Sequence, residues 1–198
     1  MKPTVEIEGC RAAHEALDRR QAGLTEEEAR RPSLLPDWTV AHVLAHIARN
    51  GDSVVRRLQG SIDDRLVDQY VGGLAGRAAE IERSAVQPIT DLLADVRASS
   101  AAVEEIIDAM PHEAWQRLSR GVGGNLAPAH RVVYSRWREV EVHHVDLGLG
   151  YTAADWPAAL VERWLPELLV GLPGRADHAA LLAWAIGRAT APELGPWG

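Results

Sequence analysis

The amino-acid sequence predicts a mostly α-helical protein, a four-helix bundle with crossover connections followed by a short C-terminal segment. Four long stretches carry apolar side chains at helical spacing. One or two of the connections between them are long, as in helix bundles with crossovers. The composition shifts over residues 150–155, so we expect the bundle to occupy residues 1–150 and a small C-terminal segment to occupy residues 151–198.

The composition excludes several classes of protein. The chain has 198 residues and 46% apolar residues, enough for one globular domain with a buried core. Its formal charge of −7 argues against nucleic-acid binding as the main task. No apolar run approaches the ~18 residues of a membrane span, and the N-terminus lacks a signal-peptide pattern. The single cysteine, Cys10, excludes an intrachain disulfide. We therefore expect a cytoplasmic protein without a membrane or nucleic-acid partner.

The first half of the chain contains two long predicted helices and one short one. Residues 5–22 form the first helix, with Cys10 facing the core. Thr25 is a suitable N-cap for a short helix that begins with three glutamates. After Pro32 and Pro36 break the chain, Thr39 caps a second long helix that reaches about residue 58.

The second half begins with a polar, glycine-rich stretch over residues 60–76, which predicts a long connection of the kind that is often functional. Residues 77–87 and 88–110 are expected to be helical, and residues 113–124 carry a weak pattern for a short extended piece or hairpin. The fourth long helix is predicted over residues 128–147 and ends at Gly148. Two further helical stretches, residues 157–169 and 177–188, lie in the C-terminal segment.

Histidine and glutamate side chains predict a metal site in this bundle. Glu139 and His143 are four residues apart, one turn above the other on one helix face. His42 and His46 are also four apart, on the second long helix. Two imidazoles and one carboxylate are a normal set for catalytic zinc with an open fourth position, although they also suit nickel, iron or cobalt. From the residues alone, either upstream histidine can be the ligand, and a metal-free polar network is the alternative.

These residues belong to motifs that resemble the DinB-like metal-binding bundle superfamily and, within it, the mycothiol-dependent maleylpyruvate isomerase family. The resemblance covers nearly the whole chain. Its C-terminal part, about 48 residues here, is shorter than the α+β domain that the family often has. The motifs are Asp37-Trp38-Thr39-Val40-Ala41-His42 with His46-Ile47-Ala48-Arg49-Asn50, Tyr70-Val71-Gly72-Gly73 with Arg77, Arg138-Glu139 with His143 and Asp146-Leu147, and Leu182-Ala183-Trp184-Ala185-Ile186-Gly187-Arg188.

The resemblance implies a zinc site made by His46, Glu139 and His143, with His42 as the competing upstream ligand. It also implies that Arg188 lies near the substrate carboxylates. The alternative for Arg188 is a cation that faces the dipole at a helix end.

The glycine-containing connection implies that Tyr70 and Arg77 bind the thiol cofactor. Three neighbours of the metal motif are expected outside the ligand set. His144 is expected to support a ligand or to pack, Glu141 to be solvated or salt-bridged, and Asp146 to form hydrogen bonds at the helix end.

The function implied by the resemblance is a zinc- and mycothiol-dependent enzyme. The thiol adds to the double bond of maleylpyruvate, the adduct rotates, and elimination gives fumarylpyruvate. The alternatives are a mycothiol S-transferase acting on another electrophile and a non-catalytic metal-binding bundle. The expected partners are a small-molecule substrate and a low-molecular-weight thiol, and the expected state is a monomer or a weak homodimer.

Overall fold

The computed structural model describes residues 1–195 and confirms the mostly helical, bundle-forming prediction. The chain forms two compact units, one spanning Met1–Asp155 and one from Trp156 onward. None of the helices described is both long enough and apolar enough to cross a membrane.

Six helices and one hairpin make up the first unit. The hairpin strands pair antiparallel, with Ser119 opposite Ala127. The elements are α1 (Thr4–Gln21), α2 (Glu26–Arg30), α3 (Val40–Ile62), α4 (Gly73–Ala85), α5 (Ile89–Ala109), β1 (Leu118–Arg120), β2 (Leu126–Pro128) and α6 (His130–Asp146), with a 3₁₀ turn at His112–Gln116.

The four long helices α1, α3, α5 and α6 form the bundle. Helix α3 packs against α5 and α6, and α1 packs against the same two helices from the other side. Leu44, Ile47 and Leu58 of α3 are at most 1% exposed, so this helix runs through the core. Most of the stability of such helices comes from this packing rather than from helix propensity.

Two capping boxes set the starts of α2 and α3, as the sequence predicts. The Thr25 side chain accepts from the Glu28 N–H, and the Glu28 carboxylate accepts from the Thr25 N–H. Thr39 and His42 form the same reciprocal arrangement at α3. Gly148, with φ 67°, follows the end of α6, which lies near the connection between α2 and α3, where the Leu34 N–H donates to the Asp146 carbonyl at 2.8 Å. This left-handed backbone is one that glycine adopts without strain.

The connection before α4 is shorter than predicted. Helix α3 continues to Ile62 and α4 already begins at Gly73, so residues 63–72 form the connection rather than 60–76. The sequence suggested a loop because of its glycines, but Gly76 lies inside α4. A Cβ at Gly76 would overlap the Val71 carbonyl oxygen, so glycine is needed there for a close backbone approach.

The second unit contains α7 (Ala158–Gly171) and α8 (His178–Ala185), with a 3₁₀ turn at Leu172–Gly174 between them. Asp177 caps α8, its carboxylate accepting from the Ala180 N–H at 2.9 Å. Helix α8 ends three residues before the predicted position, because Gly187 has φ 70° and breaks the helical backbone.

Candidate metal centre

His46, Glu139 and His143 meet between α3 and α6. His46 Nε2 lies 3.0 Å from His143 Nε2 and 3.2 Å from Glu139 Oε2. His143 Nε2 lies 3.5 Å from the same carboxylate oxygen. Among the described residues this is the one cluster of three or more His, Cys, Asp or Glu side chains with the spacing of metal ligands.

The triad fits a tetrahedral zinc ion. Zinc ligands at bond lengths of about 2.1 Å lie roughly 3.4 Å from one another in a tetrahedron. The three distances within the triad, 3.0, 3.2 and 3.5 Å, are close to that spacing. The set also leaves one position for an outside ligand, as in catalytic rather than structural zinc sites.

Asp146 fixes the orientation of His143. Its carboxylate oxygen Oδ2 accepts a hydrogen bond from His143 Nδ1 at 2.8 Å. With the proton held on Nδ1, the Nε2 lone pair points into the triad, which is the usual carboxylate–histidine–metal arrangement. The prediction that Asp146 forms a hydrogen bond at the helix end rather than serving as a ligand agrees with this geometry.

His42 lies outside the triad. Its Nδ1 is 2.7 Å from the Thr39 hydroxyl within the α3 capping box, and its Nε2 is 3.4 Å from Glu82 Oε2. The two ring nitrogens of His42 therefore face Thr39, at the start of α3, and Glu82, in α4. His46, one turn further on, is the upstream histidine that reaches Glu139.

The electrostatics of the triad favour a carboxylate beside a neutral imidazole. Burial lowers the pKa of His46 to about 4, helped by the proximity of His143 and Arg77. Burial alone would raise the pKa of Glu139, but hydrogen bonds from His143 and His46 outweigh it and lower that pKa. For His143 burial opposes protonation, yet hydrogen bonds to Asp146 and Glu139 raise its pKa to about 9. Metal binding therefore has to displace a proton from His143 near neutral pH.

Arg77 borders the triad, and Tyr70 lies against Arg77. Arg77 Nη2 lies 3.0 Å from His46 Nδ1, and the Arg77 guanidinium carbon is 5.8 Å from the centre of the Tyr70 ring. An arginine can only donate, so His46 Nδ1 accepts in this arrangement. A metal on Nε2 requires the proton on Nδ1, and the Arg77 side chain then has to turn away. Trp38 closes another side, with its ring centre 5.7 Å from that of His46.

Glu141 is buried rather than solvated, and His144 packs as expected. Glu141 was expected to be solvated or salt-bridged, and with 2% of its surface exposed it is not solvated. Its carboxylate accepts hydrogen bonds from the Trp137 indole and from the Tyr151 hydroxyl. His144 packs, as expected, with its ring stacked on Tyr151 at 3.8 Å between ring centres.

The sequence interpretation missed a buried network next to the triad. Arg136 is fully buried, and its guanidinium donates to the Ile47 carbonyl, to Asn50 Oδ1 and to His14 Nε2 at 2.7 to 3.1 Å. His14 Nδ1 in turn lies 3.0 Å from Glu104 Oε1. The available signal was an arginine at a core position of α6, three residues before Glu139. Such an arginine requires polar partners on the neighbouring helices.

Cys10 faces the core, as predicted. It is fully buried and lies 3.7 Å from His14 Nε2. Burial raises the pKa of its thiol to about 12, so this cysteine is not a thiolate at neutral pH.

Arg188 lies in the second unit, just beyond the end of α8, and its side chain is exposed. Its backbone N–H donates to the Ala183 carbonyl at 2.7 Å. Its role toward a substrate stays a prediction.

Comparison with known proteins gives two related results. The family model for the mycothiol maleylpyruvate isomerase N-terminal domain matches residues 10–148, which include all three triad residues. The crystal structure of the mycothiol-dependent maleylpyruvate isomerase is similar to this chain, with a TM-score of 0.80 and 23% sequence identity, over 85% of this chain and 70% of that one. The structure of a histidine-to-alanine mutant of the mycothiol-dependent maleylpyruvate isomerase gives the same values. A search of curated protein sequences finds no match.

Proposed function

The chain belongs to the mycothiol maleylpyruvate isomerase N-terminal domain family of enzymes, and on that premise we propose that it is a zinc- and mycothiol-dependent isomerase that converts maleylpyruvate into fumarylpyruvate. The observation that supports this most directly is the His46–Glu139–His143 triad, whose distances suit a zinc ion with one open position.

His46, Glu139 and His143 would hold the zinc through two imidazole nitrogens and one carboxylate oxygen. When bound, the zinc and the thiol would supply a nucleophilic thiolate for reversible addition to the substrate double bond, the kind of chemistry that can convert a cis alkene into the trans isomer. The protein contributes by setting the charge and proton positions of the ligands, although His143 would have to lose one proton and Arg77 would have to leave His46 Nδ1 when a metal binds. Burial keeps His46 neutral, Glu139 is ionised, and Asp146 keeps the His143 proton on Nδ1.

Two arginines would serve the bound molecules, Arg77 the thiol cofactor and Arg188 the carboxylates of the substrate. Arg77 is half-buried at the triad, and its flexible side chain has to leave His46 Nδ1 when Nε2 binds metal, which frees the guanidinium for an anion. Arg188 is the second, assigned from the motif at the end of α8. A guanidinium can bind a carboxylate through two parallel hydrogen bonds and can stabilise enolate charge as it develops.

The first test is metal content together with turnover. Purified protein loaded with zinc should contain about one equivalent of metal, the occupancy of a single site, and should convert maleylpyruvate only when mycothiol is present. His46→Ala should lose both metal and turnover. His42→Gln is the matched control, because His42 lies one turn away on α3 outside the triad and glutamine is a suitable residue at that position of a capping box; it should retain both.

The outcomes separate the candidate functions. Zinc binding without turnover of maleylpyruvate, but with mycothiol-dependent consumption of other electrophiles, would favour an S-transferase. Zinc binding without any thiol-dependent reaction would favour a non-catalytic bundle. Failure to bind a divalent metal would overturn the metal-dependent function.

A further inference from the structure

A cavity of about 510 Å³ lies between the α3–α4 connection and the β1–β2 turn. We call it the loop cleft and define it by Asp68, Gln69, Tyr70, Arg120 and Val122. None of these residues belongs to the metal triad, and no role described so far uses the cleft as a whole.

The chemistry of the loop cleft suits a neutral polyhydroxylated ligand. Asp68, Gln69 and Arg120 present carboxylate, amide and guanidinium groups, which together both donate and accept hydrogen bonds. Arg120 Nη1 lies 3.0 Å from Asp68 Oδ1, so the two charges compensate each other, and a strongly charged ligand has no advantage. Both side chains are more than a third exposed, so their ion pair is weak and can be exchanged for ligand hydroxyls.

The backbone leaves the cleft open. Gly73 and Gly124 border it with φ angles of 64° and 82°, and a Cβ at either would meet no atom within 4 Å. The space beside them is therefore not filled by the protein. Side chains here would be strained by the left-handed backbone and would project into that space.

Tyr70 joins the loop cleft to the metal triad. It lines the cleft and is 8% exposed. Arg77 lies over its ring at 5.8 Å, and Arg77 Nη2 is 3.0 Å from His46 Nδ1. One aromatic and one cationic side chain thus separate the cleft from a ligand histidine.

We propose that the loop cleft binds the sugar portion of the thiol cofactor, the glucosaminyl-inositol to which its N-acetylcysteine is attached. This inference rests on the proposed function, which places the sulfur of that thiol at the triad. The amide link to the cysteine separates the sugar from the sulfur, and Tyr70 and Arg77 separate the cleft from His46. The neutral polar lining matches ring hydroxyls, because Asp68, Gln69 and Arg120 can both donate hydrogen bonds to them and accept hydrogen bonds from them.

The test compares two thiols that differ only in the sugar. Binding of mycothiol and of N-acetylcysteine to the zinc-loaded protein is measured by titration calorimetry, which requires no turnover. Arg120→Ala should raise the Kd for mycothiol about tenfold, the loss expected for one charged hydrogen bond, and leave the Kd for N-acetylcysteine unchanged. Gln69→Ala should act in the same direction, and glucosaminyl-inositol alone should compete with mycothiol in the wild-type protein.

Arg83→Ala is the matched control, because Arg83 is an exposed arginine of α4 that pairs with Glu80 and does not line the cleft. Its affinity for both thiols should be that of the wild type. Equal mycothiol affinity in Arg120→Ala and wild type, equal losses for both thiols, or no binding of mycothiol at all would each overturn the proposal. Weakened mycothiol binding in a protein that does not isomerise maleylpyruvate would support the cleft and reject only the isomerase function.

Discussion

At the scale of single residues, the imidazole of His143 is held from both sides. Nε2 belongs to the triad, and Nδ1 is 2.8 Å from the Asp146 carboxylate. Replacing that carboxylate by an amide removes the charge that keeps the proton on Nδ1. We expect Asp146→Asn to lower zinc affinity about 10- to 100-fold with an unchanged circular dichroism spectrum. Competition with a chelator measures the affinity, and the exposed Asp63→Asn serves as control. Equal affinities for the two variants would reduce Asp146 to a helix-end residue.

A second expectation at this scale concerns the ligand itself. His143→Ala should lose metal and turnover while the bundle stays folded, since the apolar faces of its four long helices do not depend on the ion. Metal analysis and a turnover assay check the loss of metal and activity, and far-ultraviolet circular dichroism checks that the helices are retained. A large loss of helical signal would show that the site is structural.

The sequence predicted the residues of the triad better than their surroundings. Helical spacing brings Glu139 and His143 to one face, but it treats His42 and His46 alike, and the resemblance was needed to prefer His46. The burial of Glu141 could not be predicted in this way, because Tyr151, which covers it, lies beyond the helix end. The spacing of apolar residues along α6 carries no information about contacts that residues beyond the helix end make with it.

At the scale of helices, Gly9 determines how closely α1 approaches α6. A Cβ at this position would overlap the indole ring of Trp137, which is 1% exposed. We expect Gly9→Ala to lower the free energy of unfolding by about 1–3 kcal/mol, because strain in a packed core outweighs the better helix propensity of alanine. Urea denaturation measures the change.

Gly123→Ala is the control for that experiment, since the added Cβ would come no closer than 3.8 Å to Asn125. It should leave the free energy of unfolding within about 0.5 kcal/mol of the wild type. Similar losses in both variants would mean that the α1–α6 contact has no special role.

The extent of α4 shows why helix boundaries were predicted less well than helices. Glycines at positions 72, 73 and 76 suggested a loop, and two of them do have the left-handed backbone of one. The third, Gly76, is helical, and its lack of a side chain serves the approach of Val71. Local propensity does not distinguish a glycine that ends a helix from one that permits a contact.

At the scale of the whole molecule, the buried His14 makes stability depend on pH. Burial lowers its pKa to about 4, against the groups that face it: Glu104, which raises the pKa, Arg136, which lowers it, and the neutral Cys10 thiol. Between pH 6.5 and 4 the unfolded chain binds this proton and the folded protein does not. The free energy of unfolding should therefore fall as the pH is lowered through this window, by up to about 3 kcal/mol for this residue.

His14→Gln tests that contribution, because glutamine can donate to Glu104 and accept from Arg136 without titrating. Urea denaturation of metal-free protein at several pH values should show a flatter acid slope in the variant than in the wild type. Parallel slopes would assign the acid sensitivity to other groups.

The second unit is expected to contribute to turnover through Arg188. Arg188→Ala should retain zinc and thiol binding but lower turnover of maleylpyruvate about 10²-fold, the loss typical of one charge-stabilising donor. Arg188→Lys should recover only part of it, because lysine cannot form the planar pair of hydrogen bonds to a carboxylate. Steady-state kinetics at saturating thiol measure both. Unchanged turnover in the alanine variant would make Arg188 a helix-end charge and would favour an uncharged electrophile as substrate.

The separation of the triad along the chain has a consequence for folding. His46 and His143 are 97 positions apart in the sequence. A metal ion bound to both side chains would therefore be a reversible cross-link between two distant segments of the first unit. Closing so long a loop in the unfolded chain is entropically costly, and a ligand that binds only the folded form adds about 2.7 kcal/mol of stability at a hundredfold excess over its dissociation constant. The lifetime of this bundle against unfolding and proteolysis would then follow the supply of metal around it.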